Sequence, residues 1–371
     1  MTNYKHYAPM ARPDLLNKID PNKIKRVVVR APNWVGDAAM CVPALRALRQ
    51  LLPEARIALV SRPGTSDIFL DAACADEVLG YQRHGMFSTW KQVGEWKQHR
   101  FDLAVLFQNA FEAAAIAFMA RVPVRVGYDT ERRGLLMTHP IASPVWKDER
   151  HEVFYYLNIV AELERALTGT SSVEAIEPDF ALSVAETRKQ EARELLRRHG
   201  IDKGAPLVLL CPGSVNSRAK RWPSERYAAL SDQFIQSGAA VALIGSPAEK
   251  DVSESVSAQA RHRPVMLTGE TSVAEVTALI SVADLLVTND TGPAHLGPAV
   301  GTPTVVIFGP TNPVTTRPFG PLGLVIRYPP DCAPCMLRDC PIDHRCMTAI
   351  TPAEVFEKAS ALMRPRLEVT A

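Results

Sequence analysis

The chain has 371 residues, of which 47% are hydrophobic and 22% are charged, as is typical of a globular protein. Single cores stop growing at roughly 250–300 residues, so we expect two domains. The formal net charge of +2 excludes a protein that binds nucleic acid mainly through bulk charge, and it excludes an acidic disordered chain.

The start of the chain and its cysteines bear on where the protein works. Met1–Asp20 carries charges and prolines without an apolar run, so no signal peptide is predicted. No stretch of about 18 apolar residues exists, and the best candidate, Phe111–Ala120, is short and contains Glu112. Seven cysteines without an export signal indicate a reducing cytoplasm. We expect a cytoplasmic protein, and peripheral attachment to a membrane surface stays open.

Strands and helices alternate through the first half. The β-branched run Arg26–Arg30 predicts a buried strand, Ala38–Leu52 carries leucines at helical spacing, and Ile57–Val60 predicts the next strand. Such a βαβ unit implies a parallel sheet with a right-handed crossover. The alternation continues in three further predicted elements: strand Phe101–Phe107, helix Phe111–Ala120 and strand Val124–Val126.

A second series follows a polar stretch that suits an interdomain linker, Thr168–Ser172 with Glu177–Asp179. Its predicted helices are Ala185–His199, Ser224–Ser237, Glu249–Ala260, Val273–Ser281 and Gly292–Val300. Its predicted strands are Leu207–Leu210, Ala240–Ile244, Val265–Leu267, Leu285–Val287 and Thr304–Phe308. The chain therefore predicts two doubly wound α/β domains, 1–175 and 176–350, followed by a C-terminal helix and tail over 351–371.

Ligands of doubly wound sheets bind at the carboxyl ends of the strands, so the turns after the strands are the functional candidates. The first is Asn33–Asp37, where Gly36 permits close approach of the backbone. Asp37 lies where a helix begins. It is equally well interpreted as an N-cap or as a general base at the cleft.

The second candidate turn is Pro212–Ser214, whose small residues let a ligand approach the backbone. A helix starts near Ser224, and helix N-termini favour anions. Three cations lie between the two: Arg218, Lys220 and Arg221. Together they predict a diphosphate site, and the alternative is a solvated basic turn capped by Ser224.

The third candidate turn is Thr288–His295, again between a strand and a helix. The Thr291 hydroxyl and free backbone N–H groups can bind phosphate oxygens, whereas Asp290 suits sugar hydroxyls. His295 shares the helix face of Thr291, although a lone histidine is often structural. Glu249 follows another strand, and it either accepts from ribose hydroxyls or serves as a first-turn acid.

Several well-known patterns are absent from the sequence. There is no Asp-x-Asp pair, so a metal-dependent nucleotide-sugar site of that type is not expected. There is no Gly-x-Gly-x-x-Gly and no Gly-x-x-x-x-Gly-Lys, which argues against NAD and ATPase chemistry. We predict neither a catalytic metal nor a cofactor.

These turns carry a resemblance to a known family. Trp34–Asp37, Lys220–Pro223 and Asn289–Gly292 with His295 resemble the motifs of bacterial lipopolysaccharide heptosyltransferases, and of their heptosyltransferase II branch in particular. The resemblance spans about Lys25 to Met363. It implies the GT-B fold, in which two Rossmann-like α/β domains face each other across a cleft.

The resemblance also implies a reaction. The donor would be ADP-L-glycero-D-manno-heptose, bound by the C-terminal domain. The acceptor would be a lipid-anchored heptosyl-Kdo–lipid A core, bound by the N-terminal domain. Transfer would invert the anomeric centre without a metal. Peripheral contact with the inner membrane stays open, and no nucleic acid is expected as a partner.

Residue roles are carried over position by position. Asp37 resembles the catalytic base in a cleft loop that includes Trp34 and Gly36, and Lys220 resembles the residue that holds the diphosphate. The other donor-binding residues implied are Ser214, Glu249, Asp290, Thr291, Gly292 and His295. Four arginines either meet acceptor phosphates or form a solvated basic face: Arg121, Arg125, Arg132 and Arg133.

A cysteine cluster closes the second series. Cys332, Cys335, Cys340 and Cys346 lie within fifteen residues, with His344 among them. Four thiols can form a structural zinc site, but the second close pair of common zinc ribbons is missing. The alternative is a reduced, partly buried loop.

Other functions stay open beside heptose transfer. They are another GT-B nucleotide-sugar transferase, a nucleotide-sugar epimerase and a binding protein that has lost catalysis. An epimerase needs paired acid and base groups at the sugar, and Asp37 stands alone on the N-terminal side. An intact Asp37 loop favours the enzyme over the binding protein.

Overall fold

The computed structural model of the protein describes residues 18–81, 85–202 and 204–369. Most of the leading segment Met1–Asp20 therefore lies outside the described residues. The prediction that it contains no signal peptide concerns that part of the chain. Among the residues described, no helix has the length and apolar character needed to cross a membrane.

The first half of the chain folds around one parallel sheet. Its strands are β1 (Arg26–Arg30), β2 (Arg56–Ser61), β3 (Glu77–Gly80), β4 (Leu103–Leu106), β5 (Val124–Tyr128) and β6 (His139–Ile141). Its helices are α1 (Val35–Leu51), α2 (Gly85–His99), α3 (Phe111–Met119) and α4 (Glu152–Thr168). The strand order is β3-β2-β1-β4-β5-β6, and all the neighbouring strands run parallel.

The second half repeats this plan. Its strands are β7 (Leu207–Cys211), β8 (Ala240–Leu243), β9 (Val265–Met266), β10 (Leu285–Asn289), β11 (Thr304–Phe308) and β12 (Gly323–Arg327). Its helices are α5 (Glu186–Arg198), α6 (Ser224–Gln236), α7 (Lys250–Gln259), α8 (Val273–Val282), α9 (Gly292–Ala299), α10 (Pro313–Thr316), α11 (Arg345–Thr348) and α12 (Pro352–Val369). The strand order is β12-β11-β10-β7-β8-β9.

Burial of the central strands explains the β-branched runs. Val27, Val28 and Val29 of β1 are all fully buried. Val27 and Val29 pack into one hydrophobic cluster, whereas Val28 packs into another, since successive side chains point to opposite faces. Both faces of the sheet are therefore covered, as expected of a doubly wound fold.

The predicted elements agree with the structure to within about three residues at each end. The prediction passed over β3, α2, β6, α4, α10, β12 and α11. The strand β3 is short and only half-buried, and β6 has three residues with Pro140 at its centre, so neither has a strong apolar run. Helix α12 packs against α6 and the second sheet.

The two halves are in direct contact through several polar bonds. Arg46 of α1 forms an ion pair of 2.8 Å with Asp179 in the connecting segment. Nε2 of His151, the N-cap of α4, lies 2.7 Å from the carbonyl oxygen of Arg317. Because a carbonyl oxygen only accepts, Nε2 of His151 carries the hydrogen. Helix α1 also packs against α9, which brings the start of each helix toward the same cleft.

Candidate active site

Asp37 lies in the first turn of α1, directly after β1. The N-cap of this helix is Trp34, so Asp37 does not cap it. Its carboxylate instead accepts a hydrogen bond of 3.3 Å from the Tyr156 hydroxyl of α4. Burial raises the pKa of Asp37, although the Tyr156 bond and the charge of Lys220 oppose that shift. A desolvated carboxylate oriented by one donor is suited to accept a proton.

Lys220 lies across the cleft, at the end of a 3-10 turn over Arg218–Lys220. Its ammonium donates to Asp290 Oδ2 at 2.9 Å and to the Asp290 carbonyl oxygen at 3.1 Å. Asp290 is 4% exposed and also accepts from the Thr311 hydroxyl at 2.6 Å. The carboxylate of Asp290 therefore orients Lys220, and its predicted role toward sugar hydroxyls stays a prediction.

Asn289, at the end of β10, links the turn Pro212–Ser214 to the segment Lys220–Pro223. It is fully buried, and its amide nitrogen donates to the carbonyl oxygens of Pro212 and Gly213 at 2.8 and 3.1 Å. Its amide oxygen accepts from the Trp222 backbone and the Tyr227 hydroxyl, both at 3.1 Å. The first two bonds fix the end of β7 to the end of β10, and the other two fix the start of α6 to the same residue.

The N-terminus of α9 points into the cleft. Thr291 is its N-cap, and the Thr291 side chain makes no capping bond, which leaves backbone N–H groups at the helix start for an anion. The Thr291 hydroxyl lies 3.2 Å from that of Thr288. His295 is 8% exposed, and its Nδ1 has no hydrogen-bond partner among the described residues. Burial lowers the pKa of His295 to about 4, so the ring is neutral near pH 7.

Two glycines let the halves meet at this point. A Cβ on Gly36 would lie 2.8 Å from His295 Cδ2, and a Cβ on Gly292 would lie 2.8 Å from Val35 Cγ1. The turn that carries Asp37 and the start of α9 are therefore in van der Waals contact. Trp34 beside them is 54% exposed.

Ser214 and Glu249 lie at the carboxyl ends of the neighbouring strands β7 and β8. Ser214 is buried, and its carbonyl oxygen accepts from Nε and Nη2 of Arg221 at 3.1 and 3.0 Å. Glu249 Oε2 accepts from the backbone and hydroxyl of Ser246, both at 2.8 Å, in a capping box. Its carboxylate also covers Gly213, where any Cβ would collide with it. The predicted role of Glu249 as an acid in the first turn thus accounts for one of its two carboxylate oxygens, Oε2.

A second carboxylate, that of Glu152 in α4, interacts electrostatically with Asp37. It is the first residue of α4, one helical turn before Tyr156. Burial raises the pKa of Glu152 to about 7, and the charge of Asp37 adds to this shift while Lys147 opposes it. Two carboxylates and one tyrosine hydroxyl therefore interact on the N-terminal side of the cleft.

A comparison with known protein families identifies the family of this chain. Residues 86–345 match the profile of "Glycosyltransferase family 9 (heptosyltransferase)". That match covers more than half of the chain. The chain belongs to glycosyltransferase family 9.

Characterised relatives span most of this family 9 chain. The lipopolysaccharide heptosyltransferase 2 of Escherichia coli K12 is 27% identical over 91% of this chain and 98% of its own length. The lipooligosaccharide heptosyltransferase 2 of Haemophilus influenzae is 27% identical over 81% of this chain and 88% of its own length. The solved structure of E. coli ADP-heptose lipopolysaccharide heptosyltransferase II superposes with a TM-score of 0.78 at 25% identity, covering 93% of this chain and all of the other. The expected GT-B fold is thereby confirmed, and the protein is a glycosyltransferase.

The structure gathers most of the predicted site residues of this glycosyltransferase. Asp37 lies within electrostatic range of Lys220 and Asp290, and Gly36 contacts His295. Ser214 and Glu249 lie one and two strands away from β10 along the same sheet edge. Their roles in binding stay predictions.

The four arginines considered as acceptor contacts are dispersed. Arg121 and Arg125 lie at the α3–β5 connection and the start of β5, which is the sheet edge opposite Asp37. Arg133 is fully buried; its Nε donates to the Tyr128 carbonyl oxygen at 2.6 Å, and its Nη2 donates to Asn109 Oδ1 at 2.6 Å. Only Arg132 of the four is exposed at the edge near the cleft.

Sequence reasoning missed three residues of the site. Tyr156 and Glu152 lie within a helix, where no local signal separates them from core and surface positions. Thr311 follows β11 at the same carboxyl edge as Asp290. The rule that singled out the other turns could therefore have found Thr311.

The cysteine cluster lines one small cavity in the second half. Cys332 and Cys340 are exposed, Cys335 is half-buried and Cys346 is buried, all as free thiols. Over the ranges 18–81, 85–202 and 204–369, no three His, Cys, Asp or Glu side chains are arranged to hold a metal ion. The zinc alternative gains no support from this arrangement.

The close contact of Gly36 with His295 predicts that a substitution at Gly36 lowers turnover more than it lowers ADP binding. We expect Gly36→Ala to push the Asp37 turn away from α9 by a few tenths of an ångström, because the new methyl would meet His295. A small misplacement at a reacting centre costs on the order of tenfold to a hundredfold in rate. Steady-state kinetics should show this loss in kcat, and calorimetry should show a smaller loss in ADP affinity. Gly94→Ala in α2, where a Cβ meets nothing within 4 Å, is the control; equal activity of both variants would contradict the prediction.

Glu152 predicts a pH-dependent stability. A carboxyl with a pKa of about 7 in the fold and 4.5 when free contributes stability below pH 4.5 and loses it as the pH rises through 7. Glu152→Gln removes this dependence, so its free energy of unfolding should exceed that of the unchanged chain at pH 8 by on the order of 3 kcal/mol. Urea unfolding at pH 4.5 and 8 measures the difference. A difference that does not grow with pH, or one matched by the exposed control Glu149→Gln, would contradict the assignment.

Proposed function

We propose that this family 9 enzyme transfers L-glycero-D-manno-heptose from ADP-heptose to a heptosyl-Kdo–lipid A core in lipopolysaccharide biosynthesis. The observation that carries the proposal is the meeting of Asp37, on the first half, with Lys220 and the start of α9, on the second. A base from one half thus faces an anion site on the other. The printed names of the relatives, lipopolysaccharide heptosyltransferase 2 and ADP-heptose heptosyltransferase II, support this donor and acceptor.

The chemistry is a single displacement. Asp37 takes the proton of the acceptor hydroxyl as that oxygen attacks the anomeric carbon. The bond from this carbon to the diphosphate oxygen breaks on the opposite face, so the configuration inverts and ADP leaves with the electron pair. Lys220 and the N–H groups at the start of α9 stabilise the negative charge that develops on the diphosphate.

The same arrangement supports a reaction that needs no metal. A leaving diphosphate needs positive charge, and a lysine with a helix N-terminus supplies it without an ion. Turnover is therefore expected to survive EDTA. Closure of the two halves would exclude water, which would otherwise compete as the nucleophile.

The deciding experiment measures ADP release from ADP-heptose with and without heptosyl-Kdo–lipid A. Acceptor-dependent release, retained in EDTA, supports the transferase. ADP binding without release under either condition would favour a binding protein or another sugar donor. A panel of nucleotide sugars would then separate those two.

We also propose a cytoplasmic enzyme in peripheral contact with the membrane that holds the acceptor. Phe87 and Trp90 of α2 are 90% and 58% exposed, and Phe111 at the start of α3 is 51% exposed. The two helix starts are joined by a bond of 3.0 Å from Thr89 to Glu112, and both follow strands at the edge that carries Asp37. Exposed aromatic rings at one edge suit a membrane interface.

Replacing Phe87 and Trp90 with serine tests this contact. Because partition scales with buried apolar area, we expect co-sedimentation with acceptor-bearing vesicles to fall several-fold. Activity on a de-acylated, soluble acceptor should stay unchanged. Phe118→Ser, at the far end of α3, is the matched control. Unaltered vesicle binding by the double variant would contradict the proposed membrane contact.

A further inference from the structure

The cysteine-rich segment 330–345 lies against the turn that carries Lys220. The Ala219 backbone N–H donates to the Arg338 carbonyl oxygen at 2.9 Å. The Ala219 carbonyl oxygen lies 2.6 Å from His344 Nε2, which must be the donor because a carbonyl only accepts. Both polar groups of the residue that precedes Lys220 are thus bonded to this segment.

Two neighbouring contacts extend the same interface. The Ser217 hydroxyl lies 3.1 and 3.2 Å from the carbonyl oxygens of Leu337 and Arg338. Arg218 Nε donates to Asp339 Oδ1 at 2.6 Å. Ser217 and Ala219 are buried, which limits competition from water at their bonds, whereas the Arg218–Asp339 pair is exposed.

The segment is itself anchored in the second half. The Met336 N–H donates to the Pro310 carbonyl oxygen at 2.9 Å, just after β11. The His344 carbonyl oxygen accepts from Met347 at 2.9 Å, and Met347 is fully buried in the core. The four thiols of the cluster line the small cavity behind Ala219. The turn is therefore tied to the core through residues that do not face the cleft.

A lysine reaches its partner through a flexible four-carbon stem, so its ammonium is only as well placed as its backbone. Among the described residues, the side chain of Asp290 is the one side-chain anchor of Lys220, and that carboxylate also repels a diphosphate. We propose that segment 330–345, through His344 and Ser217, positions Lys220 for the donor diphosphate. His344 and Ser217 are positioning residues, since they act on the ligand only through the Lys220 turn. This inference rests on the proposed function, because it assumes a diphosphate donor.

Calorimetry with ADP and with adenosine separates positioning from general support of the fold. His344→Asn removes the bond to Ala219 and keeps a residue type that tolerates the positive φ of this position. We expect its ADP affinity to fall about three- to tenfold, as loss of one part-buried hydrogen bond implies. Adenosine affinity should stay constant. Ser217→Ala should act in the same direction, and His344→Gln, which keeps a donor at similar reach, should restore affinity.

Two controls complete the experiment. His262→Asn changes a histidine that pairs with Asp232 beyond the end of α7, at the opposite sheet edge. It should leave ADP affinity unchanged. In a Lys220→Ala background, His344→Asn should weaken ADP binding no further, because the group it positions is gone.

The outcomes distinguish this inference from the proposed function. Equal losses for ADP and adenosine, or additive losses with Lys220→Ala, would overturn the positioning role while leaving the donor assignment intact. If the unchanged chain binds no ADP, the donor assignment falls and this inference falls with it.

Discussion

Replacing Asp37 with asparagine should lower kcat about 10³-fold while ADP binding is retained. Removal of a general base typically costs 10²- to 10⁴-fold, and Asn cannot take the acceptor proton. Asp37 belongs to the half that does not carry Lys220, so the diphosphate keeps its contacts. Single-turnover kinetics and ADP calorimetry test the two parts of this prediction separately.

The pH dependence gives a second test of Asp37. A base acts only when deprotonated, and burial raises the pKa of Asp37, so activity should fall as the pH drops through this raised value. The acidic limb of kcat/KM should therefore lie above the range of a free aspartate, and it should vanish in Asp37→Asn. Asp67→Asn is a matched control, because Asp67 also accepts a bond from the other half, at 3.4 Å from the Ala274 backbone. Near-normal turnover of Asp37→Asn would remove this residue from the mechanism.

Replacing Lys220 with methionine should weaken ADP binding about tenfold to a hundredfold. A charge-assisted hydrogen bond to phosphate contributes about 1.5–3 kcal/mol, which corresponds to that range. The change should also destabilise the fold by about 2 kcal/mol, because Asp290 is 4% exposed and would lose its only described cation. Calorimetry and urea unfolding measure the two effects.

A second substitution separates the two effects of Lys220. Asp290→Asn in the Lys220→Met background removes the unpaired carboxylate, so stability should recover. ADP affinity should stay below that of the unchanged chain, because the lysine contact is still missing, even though the repulsion from Asp290 is also removed. Lys358→Met on α12 controls for loss of an exposed cation, since Lys358 pairs with Glu354 of its own helix. Unchanged ADP affinity in Lys220→Met would argue against the diphosphate role.

The order of elements was predictable because it is written in local patterns. The buried run of β1 and the leucines of α1 have the periods of a strand and a helix, and the same holds for β7, β10 and β11. Edge elements such as β3 and β6 lack that signal, since they bury less apolar surface. Helix α4 was missed although it buries much of one face, because its first turns mix charged and aromatic residues.

The site was predictable only as a set of turns. A parallel sheet places every strand-to-helix turn at one edge, so Asp37, Lys220 and Asp290 could be selected before their contacts were known. The same rule did not predict that Asp290 pairs with Lys220. That outcome depends on the burial of Asp290 beside Thr311.

The sequence by itself determined two doubly wound domains and the turns that carry polar groups, because strand periods, helix periods and turn residues are local properties. Only the tertiary structure decided which groups meet. Asp37 is 119 residues from Tyr156, and Lys220 is 70 residues from Asp290. The contact of Gly36 with His295 joins the two halves across the cleft. Such pairs depend on how whole sheets and helices pack, and no local pattern of residues specifies that packing.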